Sequence, residues 1–385
     1  MTATTVVNPQ PQTTAQAPGG PFVTYSWRGN APQYTATPAW GGSVTTPLIP
    51  VSGYARRFRV KLAATGGTGT ATVAATADAP FSAVQQVMLT DPQGNNIINL
   101  PGWEAFKLVP IISGGFGLWK YADPANQPSY SAVATGADAS GNFNFQSWLP
   151  LEFSEAIGVL GMDNASVLPS LQFTMAGASA VYSTAPTTLP SLSLEVDVDY
   201  YSNPDNAAIL PPGLGSSRQF RLLTLTPNAT NGSASMLTMP KFGGGYLDSL
   251  TFIARDPSTG DRTDAAWPAR LQLTVDGYVV FNATIDQLIA DMYNAYQFPS
   301  TADPYYNSGT ESVGARPKGV LTIPFKNDLS QVITGLLDTG RTYKSTTPGT
   351  NIQLGGTGWQ GSATYTCIPG LVIPSGTLVT GLPEA

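Results

Sequence analysis

Forty glycines and 33 prolines are spread along the whole 385-residue chain, so no segment runs far before a residue that interrupts regular structure. Between them lie short runs rich in Val, Thr, Leu, Phe and Tyr. This spacing leaves room for many short strands and little helix, which predicts an all-β sandwich or barrel. Strands are expected at 58–64, 83–90, 143–153, 171–175 and 192–201, then at 220–226, 246–254, 270–281, 319–326 and 362–368. One helix is expected at 284–296, with Ile285, Leu288, Ile289, Met292 and Tyr296 on one face and Thr284 with Gln287 as a capping box. A shorter one is expected at 102–109, entered through Pro101.

Apolar residues make up 42% of the chain, enough for a large core, but charged residues only 11%, against roughly 25% in ordinary soluble domains. A surface so poor in charge is best explained by neighbours that cover it. The net charge is −6, and no Lys/Arg cluster exceeds two adjacent residues, which argues against nucleic-acid binding by counterion release. The single cysteine, Cys367, reads as a small strand residue, and there are no histidines. Disulfide frameworks, Cys-rich zinc sites, His-ligated metals and Ser-His-Asp or Cys-His nucleophiles are thereby excluded. The N-terminus has neither the basic nor the apolar part of a secretory signal, and no apolar run approaches the ~18 residues that would cross a bilayer.

Phrases recur in order along the two halves. "RRFRVKLAAT" (56–65) is answered by "RQFRLLTLTP" (218–227). "VMLTDPQGNNIINL" (87–100) and "LQLTVDGYVVFNAT" (271–284) both read as strand, acidic-Gly turn, strand, and each leads into a helix. "WLPLEF" and "LTIPFK" both set a proline, Pro150 and Pro324, inside an apolar strand, where proline marks an edge or bulge. A tandem duplication follows, with the two Arg-Phe-Arg strands opening two copies of an eight-stranded jelly roll. Phe58 with Val60, and Phe220 with Leu222, are expected to point inward. The expected division is an extended N-terminal arm over 1–45, a first jelly roll over 46–203, a linker over 204–216 and a second jelly roll over 217–385.

Two tandem jelly rolls in an acidic, cysteine-poor, histidine-free chain resemble the double jelly-roll major capsid proteins of tailless, membrane-containing bacteriophages, the tectiviruses. Adenovirus hexon and the corticovirus coats share that wider lineage. The phrases carrying the resemblance are "VMLTDPQGNNIINLPGWEAF" and "SWLPLEFSEAIGVLGMDNASVLPSLQFTM". It is strongest over about 54–175 and architectural after 216. The resemblance implies a structural protein of the virion, assembled in the host cytoplasm: a homotrimer forming a pseudo-hexagonal capsomer of an icosahedral shell. Penton and minor capsid proteins and an internal lipid membrane would be its partners. Tectivirus coats begin with a helical, Gln-rich segment, whereas this N-terminus is rich in Pro, Thr and Gly and should be extended. Phe22, Tyr25, Trp27 and Trp40 would anchor that arm along neighbouring subunits.

Residues that could carry chemistry have plainer readings. Glu195, Asp197 and Asp199 alternate along one strand face and could bind a cation, but such a row is more often a solvated face. Asp256, Asp261 and Asp264 surround a glycine without calcium-loop spacing and read as an exposed turn. Trp103, Trp148 and Trp359 sit in apolar phrases and read as core. The Asn-x-Ser/Thr sites at Asn164, Asn228, Asn231 and Asn282 would not meet the glycosylation machinery in a bacterial virus. No catalytic residue and no cofactor is expected. The competing readings are a carbohydrate-binding or carbohydrate-active β-sandwich using carboxylates such as Glu152 or Glu195, and a receptor-binding spike.

Overall fold

In a computed structural model the protein is described over residues 20–113, 130–206, 208–225, 235–239, 246–296, 317–324, 343–344 and 351–373, apart from 154, 155, 165, 167 and 361. A short helix, α1 (Gly20–Tyr25), precedes β1 (Arg28–Ala36), β2 (Ser43–Thr46), β3 (Gly53–Thr65), β4 (Val84–Thr90) and β5 (Asn96–Leu100). Helix α2 (102–112), with a π-helical turn over Glu104–Leu108, leads to β6 (Phe143–Pro150), β7 (Ser170–Met175) and β8 (Ser191–Ser202). The second half has β9 (Ser217–Arg221, resumed at Leu223–Leu225), β10 (Ser235–Thr238), β11 (Tyr246–Arg255), β12 (Arg270–Val275) and β13 (Tyr278–Thr284). Helix α3 (Ile285–Tyr296) is followed by β14 (Val320–Pro324), β15 (Ile352–Gly356) and β16 (Thr364–Ile373).

The strands stack in one pattern twice. One sheet runs β1-β8-β3-β6 and faces the row β2-β7-β4-β5; the second half repeats this as β9-β16-β11-β14 and β10-β15-β12-β13. Each set is an eight-stranded jelly roll. Strands β5 and β9 pair in parallel, Phe220 beside Ile98 and Arg221 beside Asn99, which fuses one sheet of each roll into a single continuous sheet. One apolar cluster accordingly extends through both rolls.

Irregularities fall at matching places. The hairpin β4–β5 has a bulge after Leu89, which pairs Ile98; β12–β13 has one after Leu273, which pairs Phe281. Arg56 is the extra residue where β3 meets β8, and Asp248 the extra residue where β11 meets β16. Pro150 ends β6 opposite Arg57, and Pro324 ends β14 opposite Ser249. Each roll carries its helix between its fifth and sixth strands. The hairpin turns follow their chemistry: Gly94, Asp276 and Gly277 have positive φ, and Asp91 accepts from the Gln93 and Asn95 amides. At the start of α3 the Thr284 amide donates to Gln287 Oε1 and the Gln287 amide to Thr284 Oγ1, as a capping box requires.

Three sequence expectations are corrected. The Arg-Phe-Arg strands are not equivalent. "RRFR" lies in β3, the third strand of its roll, and "RQFR" in β9, the first strand of the other. Registers through the bulges match Arg218 to Arg28 and Phe220 to Asn30 instead. The first roll begins at Arg28 rather than 46, because β1 pairs along β8 and β2 along β7. Phe58 and Val60 point into the first roll as expected, but burial passes from Phe220 to Leu223 and Leu225, leaving Leu222 half-exposed. The ladder breaks there because Pro369 of β16, opposite Arg221, has no N–H.

Candidate assembly surfaces and the domain junction

Strand alternation turns Glu195, Asp197 and Asp199 of β8 outward, and the register sets them opposite Lys61, Arg59 and Arg57 of β3. Lys61 Nζ lies 3.0 Å from Glu195 Oε2, and Arg59 reaches diagonally to Asp199 Oδ1 at 3.1 Å. Asp199 also accepts from Arg57 and, at 2.8 Å, from Asn30 Nδ2 of β1. Burial by itself would lift the Asp199 carboxyl, but Arg57, Asn30 and Arg59 outweigh it and hold the carboxyl below its ordinary value. Burial lifts Asp197 against the pull of Arg59. The row is therefore a cross-strand ladder of charge that is exposed only at its Glu195 end; Asp199 is buried, contrary to the solvated face expected. Among the described residues no three Cys, Asp or Glu side chains gather as a metal-ligand set.

Of the four aromatic residues expected to grip neighbours, Phe22 and Trp40 are engaged within their own chain. Phe22 of α1 is buried edge-on between Tyr54 and Tyr201, each ring centroid 5.6 Å away. Trp40 donates to the Pro190 carbonyl at 2.9 Å and packs against Phe143 and Tyr182. Tyr25 and Trp27 stay 63% and 61% exposed, Trp27 against Tyr200. Residues 1–19 of the expected arm lie outside the described residues. The correction has a physical cause: the pocket formed by Tyr54, Ala156, Val159 and Tyr201 is apolar and takes Phe22, which fixes residues 20–25 as a helix and not as an extended arm.

Glu152, named above as a candidate carboxylate, is held by three groups. It meets Arg56 at 2.6 Å and accepts from Tyr201 Oη and the Ala156 amide at 2.8 Å each, while Arg56 stacks on the Tyr201 ring. A carboxylate so committed serves as structure.

Sequence reasoning missed the domain junction. Arg255 and Arg262 flank the exposed turn at 256–260 and reach from the second roll into the first. Arg255 meets Asp78 and Glu104, with Glu104 at 3.1 Å; Arg262 meets Asp78 at 3.0 Å and lies 4.1 Å over the Trp103 ring. Burial lifts Glu104 above the ordinary carboxylate range, only partly opposed by Arg255, whereas Arg255 and Arg262 together outweigh burial at Asp78 and hold it low. Arg218 pairs with Asp248 at 2.8 Å and donates to the Ile112 carbonyl at the end of α2, where a cation also suits the helix dipole. The visible signal was six charges in a charge-poor chain sitting in otherwise apolar or turn phrases. Trp103, Trp148 and Trp359 are buried, and so is Cys367, whose thiol is pushed up by burial.

No protein-family model and no curated protein sequence matches the chain. Solved structures do match its fold. A chain from the atomic structure of Sulfolobus turreted icosahedral virus is 15% identical, with a TM-score of 0.62 over 90% of this chain and 91% of that one. A chain of the PBCV-1 virus capsid is 15% identical, with a TM-score of 0.54 over 94% and 97%. The major capsid protein P2 of bacteriophage PM2 is 10% identical, with a TM-score of 0.50 over 91% and 100%. These structural neighbours are double jelly-roll capsid proteins, and this chain has their fold across nearly its whole length.

Proposed function

We propose that the chain is a structural major capsid protein whose homotrimers form pseudo-hexagonal capsomers of an icosahedral shell. The observation that carries this reading is the pair of eight-stranded jelly rolls in one chain, a fold similar to that of a virus capsid chain over 94% of this chain. A charge content of 11% supports a surface covered by neighbours. Its role is mechanical and needs no catalysis, no cofactor and no sequence-specific nucleic-acid contact. The protein belongs to the virion, assembles in the host cytoplasm and meets penton and minor capsid proteins at the shell's irregular positions.

The reading extends to a tailless phage with an internal membrane. Exposed Tyr25, Trp27 and Ile49 lie in the segments that lead into β1 and β3, and exposed Leu210 and Leu214 in the segment that follows β8, whose end pairs with the starts of β1 and β3. Amphipathic aromatics with aliphatic neighbours suit a lipid headgroup surface. Among the described residues no helix is long and apolar enough to cross a membrane. Light scattering on protein released from its shell tests the trimer: about three times the 40.3 kDa chain mass is expected, and a stable monomer at micromolar concentration overturns the reading.

A further inference from the structure

Strand β13 is an open edge among the described strands, pairing only with β12. Its sequence, "YVVFNAT", has no charge and no proline, and Tyr278 and Val279 are 80% and 55% exposed. Other edges are guarded or short. Strand β1 carries Pro32 at a bulge, β6 and β14 end on prolines, and β2 and β10 have four residues each. An unguarded neutral edge is a template for another strand.

The same position in the first roll shows what covers such an edge. Strand β5 is the counterpart of β13, and β9, the first strand of the second roll, lies on it in parallel. The counterpart of β9 is β1, whose outer edge is also open among the described strands. The bulges carry the register across: Ile98 and Asn99 correspond to Phe281 and Asn282, and Phe220 and Arg221 to Asn30 and Ala31. Side chains agree as well. Gln86 donates to Asn99 at 2.7 Å on the covered edge, and Arg270, at the matching place, donates to Asn282 Oδ1 at 3.1 Å. The arginine therefore does not block the edge, since its counterpart coexists with a docked strand.

We propose that the edge of β13 receives strand β1 of a second copy in parallel, with Asn30 beside Phe281 and Ala31 beside Asn282. Both residues of β1 precede Pro32, so the proline does not interrupt the pair. The contact uses a different edge on each partner, hence is head-to-tail, and three such contacts close a ring. Each subunit boundary would then repeat the junction inside each chain. The inference rests on the trimeric reading above.

The test combines Ala31→Cys with Asn282→Cys, since opposed residues on neighbouring strands lie within disulfide reach. Native Cys367 is buried and remains a silent background. Mild oxidation should give covalent dimers and trimers on a non-reducing denaturing gel, whereas either single variant and the out-of-register pair Thr35→Cys with Asn282→Cys should give none. Hydrogen exchange of the unmodified protein supplies a second reading: amides at 281–283 should exchange at least about tenfold more slowly in the trimer than in the dissociated chain. A trimer by light scattering that neither cross-links nor protects these amides overturns the strand contact and leaves the shell reading standing. A monomer overturns both.

Discussion

Arg56 and Asp248 occupy one position in the two jelly rolls: each is the bulged residue of the third strand, and each is locked in an ion pair of opposite polarity, part-buried at Arg56 and buried at Asp248. Arg56 is held by Glu152 and Asp248 by Arg218. A bulge turns one side chain out of alternation, so that position is open to a residue chosen for its partner and not for its sheet face.

The Arg218–Asp248 pair is almost fully buried, with side chains 6% and 4% exposed. Asp248→Asn should therefore cost about 3–5 kcal/mol by leaving Arg218 unpaired. Adding Arg218→Met to it should recover most of that loss. Urea unfolding of the two variants measures both values; equal losses would show that the pair is not coupled.

Phe58 and Phe220 are both fully buried, so Phe58→Ala and Phe220→Ala should each cost about 3–5 kcal/mol. Leu222→Ala should cost far less, because the chain turns it half outward. Phe220 sits beside Ile98 of the first roll, so its loss should loosen the junction as well as lower the melting temperature. Limited proteolysis between the rolls reads the junction separately.

At the junction, Asp78→Asn and Glu104→Gln should respond oppositely to pH. Asp78 is held low, so its contribution is complete above about pH 4 and is lost as pH falls through the folded value. The cost of Asp78→Asn should thus grow from pH 3 to pH 5 and then level. Glu104 is lifted, so the folded chain binds its proton more tightly than the unfolded chain. Its contribution weakens as pH rises through the folded value, and the cost of Glu104→Gln should shrink over that range. Melting temperatures from pH 3 to 8 decide; parallel trends would contradict the assignment.

Phe22 and residues 1–19 are separable. Phe22→Ala should destabilise the folded chain by about 3–5 kcal/mol, because the ring is buried between Tyr54 and Tyr201. Deleting residues 1–19 should leave melting temperature and trimers unchanged while lowering shell yield or heat resistance. Shells of normal yield and resistance from the truncated chain would reduce that segment to a passive tail.

Much of the architecture could be read from local chemistry. The Thr90 and Thr274 hairpins, helices α2 and α3 and the paired prolines were visible because turn residues, caps and prolines act within a few positions of themselves. The Arg-Phe-Arg match misled because it compared side chains and ignored place: in β3 the motif alternates over one roll's core, while in β9 Phe220 fits beside Ile98 of the other roll. Register could expose this, and register depends on strand partners far along the chain. The Asp78–Arg255 contact, between residues of different rolls, was hidden for the same reason. Phe22 and Trp40 read as anchors on neighbouring subunits because their partners Tyr201 and Pro190 lie far along the same chain and only folding brings them close.

Electron microscopy of the purified, untruncated protein tests the central claim most directly. Closed icosahedral shells built from pseudo-hexagonal trimers, each with six jelly rolls, are the predicted result. Isolated monomers, or oligomers without threefold symmetry under conditions that keep the chain folded, would contradict it.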